Sequence, residues 1–197
     1  MSAQVIEKGP IPLDAASTVL ETYFDGKDFN QPRVLRTAFA NHGVVKFTID
    51  AEIIDFPSEI RGGDLIAKTL FEDFHQQFVD VRSYYITDEL GELSDGVIQG
   101  LHWLVVMKER QTGNLRVGTG SYDFTFVHEA FLGWRIDELK IHIQEMVSLA
   151  DAGEGIRALQ GALSYPWTPG VQALSALDQV RGLEGIRTYM AASILSA

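Results

Sequence analysis

The stretch "GWRIDELKIHIQEM", residues 133–146, alternates like a β-strand, yet its apolar phase flips halfway. Trp134 and Ile136 stand at even positions, whereas Leu139, Ile141 and Ile143 stand at odd ones. Side chains of a strand point to opposite faces with a period of two, so a regular strand would split these residues between two faces. One extra residue, a β-bulge, restores a common face and bends the strand. The flip therefore predicts a bulge at Asp137–Glu138, with all five apolar residues on one core. Glu138, Lys140, His142 and Gln144 then fall on the outer face. A sheet built on such a strand curls around its core.

Three earlier segments share the two-residue period: "VRSYYITDEL", "VIQGLHWLVVMKE" and "LRVGTGSYDFTFVHE". The links "RQTGN" and "EAFLG" are of turn length, so the last three strands should form antiparallel hairpins. "GTG" at 118–120 lies inside a strand, which makes it a site of curvature and not a phosphate loop. "LHWLVVM" is apolar at nearly every position, as in a strand covered on both faces. One face should meet helices. The other must meet the chain's own tail or a second subunit, and a homodimer through the outer sheet face is expected.

Helical spacing marks the N-terminal half. "PLDAASTVLETYFDGKD" buries Val19, Leu20, Tyr23 and Phe24, with Asp14 near its start and Gly26 at its end. "NQPRVLRTAFA" is a second short helix with Pro32 in its first turn. "VVKFTID" is a strand. After the loop "AEIIDFPSEIRGG", the segment "DLIAKTLFEDFHQQF" reads as one helix capped by Asp64, with Leu65, Ile66, Leu70, Phe71, Phe74 and Phe78 buried. His75 belongs to its solvated face. Helices followed by a run of strands imply an α+β layout.

Residues 1–150 thus form one domain, and 151–197 a helical C-terminal extension packing on the same body. The extension carries three apolar stripes: Ile156/Leu159/Leu163, Val171/Leu174/Leu177 and Ile186/Tyr189/Met190/Ile194. A segment this short cannot build a core alone.

Composition narrows the chemistry. The chain has no cysteine, which excludes disulfides, thiol catalysis and cysteine-ligated metal. The histidines show no metal-ligand spacing. The formal charge is −11 and the 16 basic residues are scattered, so neither nucleic acid nor an anionic membrane is an expected partner. The N-terminal residues lack the pattern of an export signal, and a cytoplasmic protein is expected. A small apolar or amphiphilic molecule is the expected ligand.

The order of these elements resembles the NTF2-like superfamily, nearest to its SnoaL-like and ketosteroid-isomerase-like branches. The resemblance spans residues 13–146 and is carried by "VLETYFDGKD", "AFANHGVVKF", "IRGGDLIAKTLFEDF" and "GSYDFTFVHEAFLGWRI". It implies an α+β, cystatin-like cone: a curved antiparallel sheet wrapped around N-terminal helices, with an apolar pocket open at one end. Isomerases, dehydratases, polyketide cyclases and pure binding proteins share that fold, and fold alone does not choose among them.

The resemblance also implies candidate site residues. In the isomerases a first-helix tyrosine and a protonated late-strand acid form an oxyanion hole, while an aspartate after the first strand moves the proton. The tyrosine maps onto Tyr23, the base near Asp50 or Asp55, and the late-strand acid onto Asp123. Phe24 and Phe74 are candidates for the pocket wall. Tyr84 and Tyr85 lie on opposite faces of their strand, so one of them should reach the pocket. His102, grouped by alternation with Ile98, Leu104 and Val106, is either a pocket acid/base or an interface or satisfied core histidine. The implied chemistry is a cofactor-independent isomerase, cyclase or dehydratase, without metal. The alternative is a noncatalytic binding or accessory protein using the same pocket.

Overall fold

The computed structural model describes residues 6, 7, 9–49, 58–70, 74–91, 93, 95–151 and 153–195. Four long strands pair antiparallel in succession: β4 (Phe78–Ile86), β5 (Val97–Glu109), β6 (Leu115–Glu129) and β7 (Gly133–Leu149). β2 (Phe39–Ile49) runs parallel to β7 and antiparallel to the short β3 (Glu59–Arg61). The two-residue β8 (Trp167–Thr168) extends the opposite edge beside β4. The order across the sheet is β3-β2-β7-β6-β5-β4-β8, with β1 (Ile6–Glu7) on β6.

Bulges curve this sheet, and the phase flip marks one of them. Thr125 pairs with Glu138 and Phe126 with Ile136, so Asp137 is the extra residue. Ile136, Leu139, Ile141 and Ile143 are all buried in one core, and Trp134 packs at its margin. A second shift, between Thr119↔Glu145 and Gly120↔Ile143, leaves Gln144 extra and turns Met146 inward. Gly120 is required there, because a Cβ would overlap the carbonyl oxygen of His142. A third shift, between Ile98 and Leu101, contains Gly100 at a φ of 66°. Ile98 therefore faces the core with Leu101 and Trp103, not the side of His102 that plain alternation assigns it.

Helix α1 (Leu13–Asp28) fills the concave side through Ala16, Val19, Leu20, Tyr23 and Phe24. It continues two residues past Gly26, which the sequence pattern places at its end. Gly26 instead lets α2 (Pro32–Ala38) cross closely, since a Cβ there would overlap the backbone of Leu35. The single helix expected over 64–78 is described as α3 (Gly63–Lys68) and α4 (Phe74–Gln77), and β4 already begins at Phe78. Ile66 and Leu70 carry the buried face at helical spacing, while Leu65 is exposed. Phe71 lies outside the described residues.

A second core lies on the convex side. Tyr84, Ile86, Leu104, Val106, Leu115 and Val117 project from the sheet against α5 (Glu154–Ala162), α6 (Gly170–Leu177) and α7 (Glu184–Leu195). Ile156, Leu159, Leu163, Ile186 and Met190 supply the helical side, as their spacing predicts. On α6 the buried face is Ala173, Ala176 and Leu177, and Val171 is exposed, so small residues set the close approach there. β5 is thus apolar on both faces because helices of its own chain cover both. The pattern from which a homodimer is expected is met within one chain.

Candidate ligand cavity and its polar wall

The concave core is not completely filled. A cavity of about 70 Å³ lies between α1 and the curled sheet, next to Phe74 and Phe78. Its walls are mostly apolar: Phe47, Leu70, Val105, Met107, Ile141, Ile143 and Met146. Its polar residues are Tyr23, Lys27, Ser83, Trp103 and Tyr122.

Local structure explains how these meet. Tyr23 and Lys27 are four residues apart on α1 and so share a face. On β4 the register shifts between Val79 and Arg82, after which Val81 and Tyr85 face the concave core with Ser83 between them. The Lys27 ammonium donates to Asp28 Oδ1 at 2.6 Å and to Ser83 Oγ at 2.6 Å. Asp28 Oδ2 accepts the backbone N–H of Ser83 at 2.5 Å, and Oδ1 accepts its hydroxyl at 3.0 Å. All three residues are buried. A buried charge is tolerated when it is paired and hydrogen-bonded, and both conditions hold here. The ammonium also lies 5.4 Å from the ring centres of Phe24 and Phe74, within reach of their π-faces.

Tyr23 and Tyr122 lie against each other, with ring centroids 6.1 Å apart at 82°. Burial raises both phenols well above the ordinary tyrosine range, so both are neutral hydrogen-bonding groups at neutral pH. Trp103 stacks on Tyr122 at 5.5 Å. Its indole Nε1 is buried and has no hydrogen-bond partner among the described residues.

The candidates taken from the sequence divide cleanly. Tyr23 and Phe74 line the cavity. Phe24 lies behind the wall, stacked on Tyr85 at 3.8 Å, and the Tyr85 hydroxyl donates to the Leu20 carbonyl at 3.0 Å. Tyr84 faces the convex core under the extension. His102 is also on that side, 6.2 Å from Tyr189, so it is not a cavity acid/base. Burial lowers its pKa below the ordinary 6.5, against a hydrogen bond to the Gly120 backbone. Asp123 does not line the cavity. It accepts the Gly100 N–H at 2.9 Å at a bulge, because parity gives the inward position to its neighbour Tyr122. Asp50 and Asp55 lie outside the described residues. His75 is not merely solvated: its Nε2 is 2.6 Å from the carbonyl oxygen of Lys27, tying α4 to the end of α1.

Lys27, Ser83, Trp103 and Tyr122 were not among those candidates. Tyr122 had a signal, since it shares parity with the buried Phe124 and Phe126. Lys27 had a weaker one, standing one helical turn after Tyr23. Ser83 had none, because a bulge decides its face. Among the described residues no three His, Asp or Glu side chains converge to hold a metal ion, and no helix is long and apolar enough to cross a membrane.

No protein-family model matches the sequence, and no curated protein does. Solved structures do match its fold. A hexachlorocyclohexane dehydrochlorinase (LinA, type 2) aligns with a TM-score of 0.55 at 12% identity, covering 70% of this chain and 88% of that one. An NTF2-like superfamily protein from Salmonella enterica serovar Typhimurium gives 0.55 at 14% identity, covering 72% and 94%. A ketosteroid isomerase-like protein from Erwinia carotovora atroseptica gives 0.52 at 12% identity, covering 68% and 96%. The chain shares the NTF2-like fold of these structures over about 70% of its length.

Proposed function

We propose that this chain binds a small apolar or amphiphilic molecule in the cone cavity and acts on it as a cofactor-independent isomerase, cyclase or dehydratase. One observation carries this reading: an apolar cavity is lined by the adjacent phenols Tyr23 and Tyr122 together with Lys27. Donors held in a dry site stabilise an oxygen that gains negative charge during reaction, because nothing must reorganise around it. The similarity in fold to a ketosteroid isomerase-like protein agrees with that use. A second reading, noncatalytic binding, has its own support. Among the described residues lining the cavity there is no carboxylate or imidazole to serve as base.

The test is mass spectrometry of small molecules released from the purified protein. Wild type should release a specific compound, and Val105→Phe, which projects a larger side chain into the cavity, should not. Identical profiles from both proteins would refute binding at this site. If the compound binds and is chemically unchanged by the protein, the noncatalytic reading holds.

A further inference from the structure

We propose that the polar group received by this cavity is a neutral acceptor oxygen, a ketone, aldehyde or lactone carbonyl, held by Lys27 and Trp103, and that carboxylates are rejected. The proposal rests on the binding role given above to the same cavity.

An ammonium has three N–H donors, and Lys27 directs two of them to Asp28 and Ser83. The indole of Trp103 is a donor only, and its N–H has no acceptor among the described residues. The phenols of Tyr23 and Tyr122, which line the same cavity, each add an O–H. Free acceptors are scarce by comparison. Asp28 already accepts three hydrogen bonds, two on Oδ1 and one on Oδ2, from Lys27 and Ser83. An occupant that satisfies the unpaired indole N–H and the third ammonium N–H accepts hydrogen bonds from them.

Charge counting then excludes acids and amines. Lys27 and Asp28 cancel at 2.6 Å, so the wall is neutral. A bound carboxylate would leave one net negative charge in an apolar cavity, and a bound ammonium one net positive charge beside Lys27. Either is costly without a counter-ion. A carbonyl adds no charge, and its two lone pairs accept one hydrogen bond from the ammonium and one from the indole. Size sets the last limit. The cavity, at about 70 Å³, has about half the volume of a ~150 Å³ cavity that binds benzene, so the inserted group is short.

Four probes of equal heavy-atom number separate these terms: 2-butanone, 2-methyl-1-butene, propionate and sec-butylamine. The readout is the indole N–H resonance of Trp103, assigned by its loss in Trp103→Phe. Butanone should move that resonance downfield while those of Trp134 and Trp167 stay in place. The alkene should bind more weakly without the downfield shift, and the acid and amine should not compete. Trp103→Phe, which keeps the ring and removes the donor, should weaken butanone about tenfold and leave the alkene unchanged. Lys27→Met should do the same where it folds. Propionate binding as tightly as butanone, or an alkene equal to the ketone, would overturn the proposal while leaving the cavity as a binding site. If no probe perturbs any cavity resonance, the binding reading itself fails.

Discussion

Replacing Lys27 with methionine isolates the most consequential polar contact in the fold. The Lys27 and Asp28 side chains are 9% and 0% exposed, and their charged atoms are 2.6 Å apart. Methionine keeps most of the stem that packs between Phe24 and Phe74 but removes the charge. Asp28 then keeps only the two hydrogen bonds from Ser83 and loses its counter-ion in a dry site. Breaking a buried pair by removing one partner costs about 3–5 kcal/mol. For a chain of this length that is a fall in Tm of about 6–20 °C, taking 2–4 °C for each kcal/mol. The double variant Lys27→Met/Asp28→Asn should recover a large part of the loss, because asparagine is neutral and still accepts the Ser83 N–H. Urea denaturation of wild type, both single variants and the double variant gives the coupling directly. We expect about 2 kcal/mol or more. A Lys27→Met loss below about 1 kcal/mol, or strict additivity of the two substitutions, would refute the account of a desolvated pair; exposed pairs give values that small.

Two further outcomes follow from the sheet. Gly120→Ala drives a Cβ into the His142 carbonyl oxygen, so it should cost about 3 kcal/mol by urea denaturation, with a shifted backbone around residues 142–145 as the only escape. A loss under about 1 kcal/mol would mean the bulge at Gln144 is absent in solution. His102 has a folded pKa below its ordinary value, so its contribution is full above about pH 6.5 and declines as pH falls through the folded pKa. Between pH 7 and 5 wild type should therefore lose more stability than His102→Leu, measured by thermal melts across that window. Equal slopes would show that His102 does not charge at the cost of folding.

The order of the first two helices and the long strands, the bulge at Asp137, the two-faced burial of β5 and the stripes of α5 and α7 were legible in the sequence, whereas β3 falls in a segment that reads as a loop. Each rests on a short-range rule: side-chain period fixes which residues share a face, and a phase flip reveals an inserted residue. Tyr23 belongs to the same class, being one apolar-face residue of a well-marked helix. What occupies the second face of β5 was not legible, since an apolar surface records that it is covered but not by which segment. The structure assigns it to the chain's own C-terminal helices. The cavity wall was also decided by tertiary structure. Register shifts at Val79/Arg82 and Ile98/Leu101 determine the inward positions of Ser83 and Trp103, and they depend on partner strands distant in sequence. Asp123 and Tyr122 differ by one position, which is enough to exchange a surface carboxylate for a cavity phenol. Lys27 and Asp28 look like an ordinary charged helix end in the sequence. Only the packing of β4 and Phe74 against that end removes them from water and makes them the charged part of a cavity.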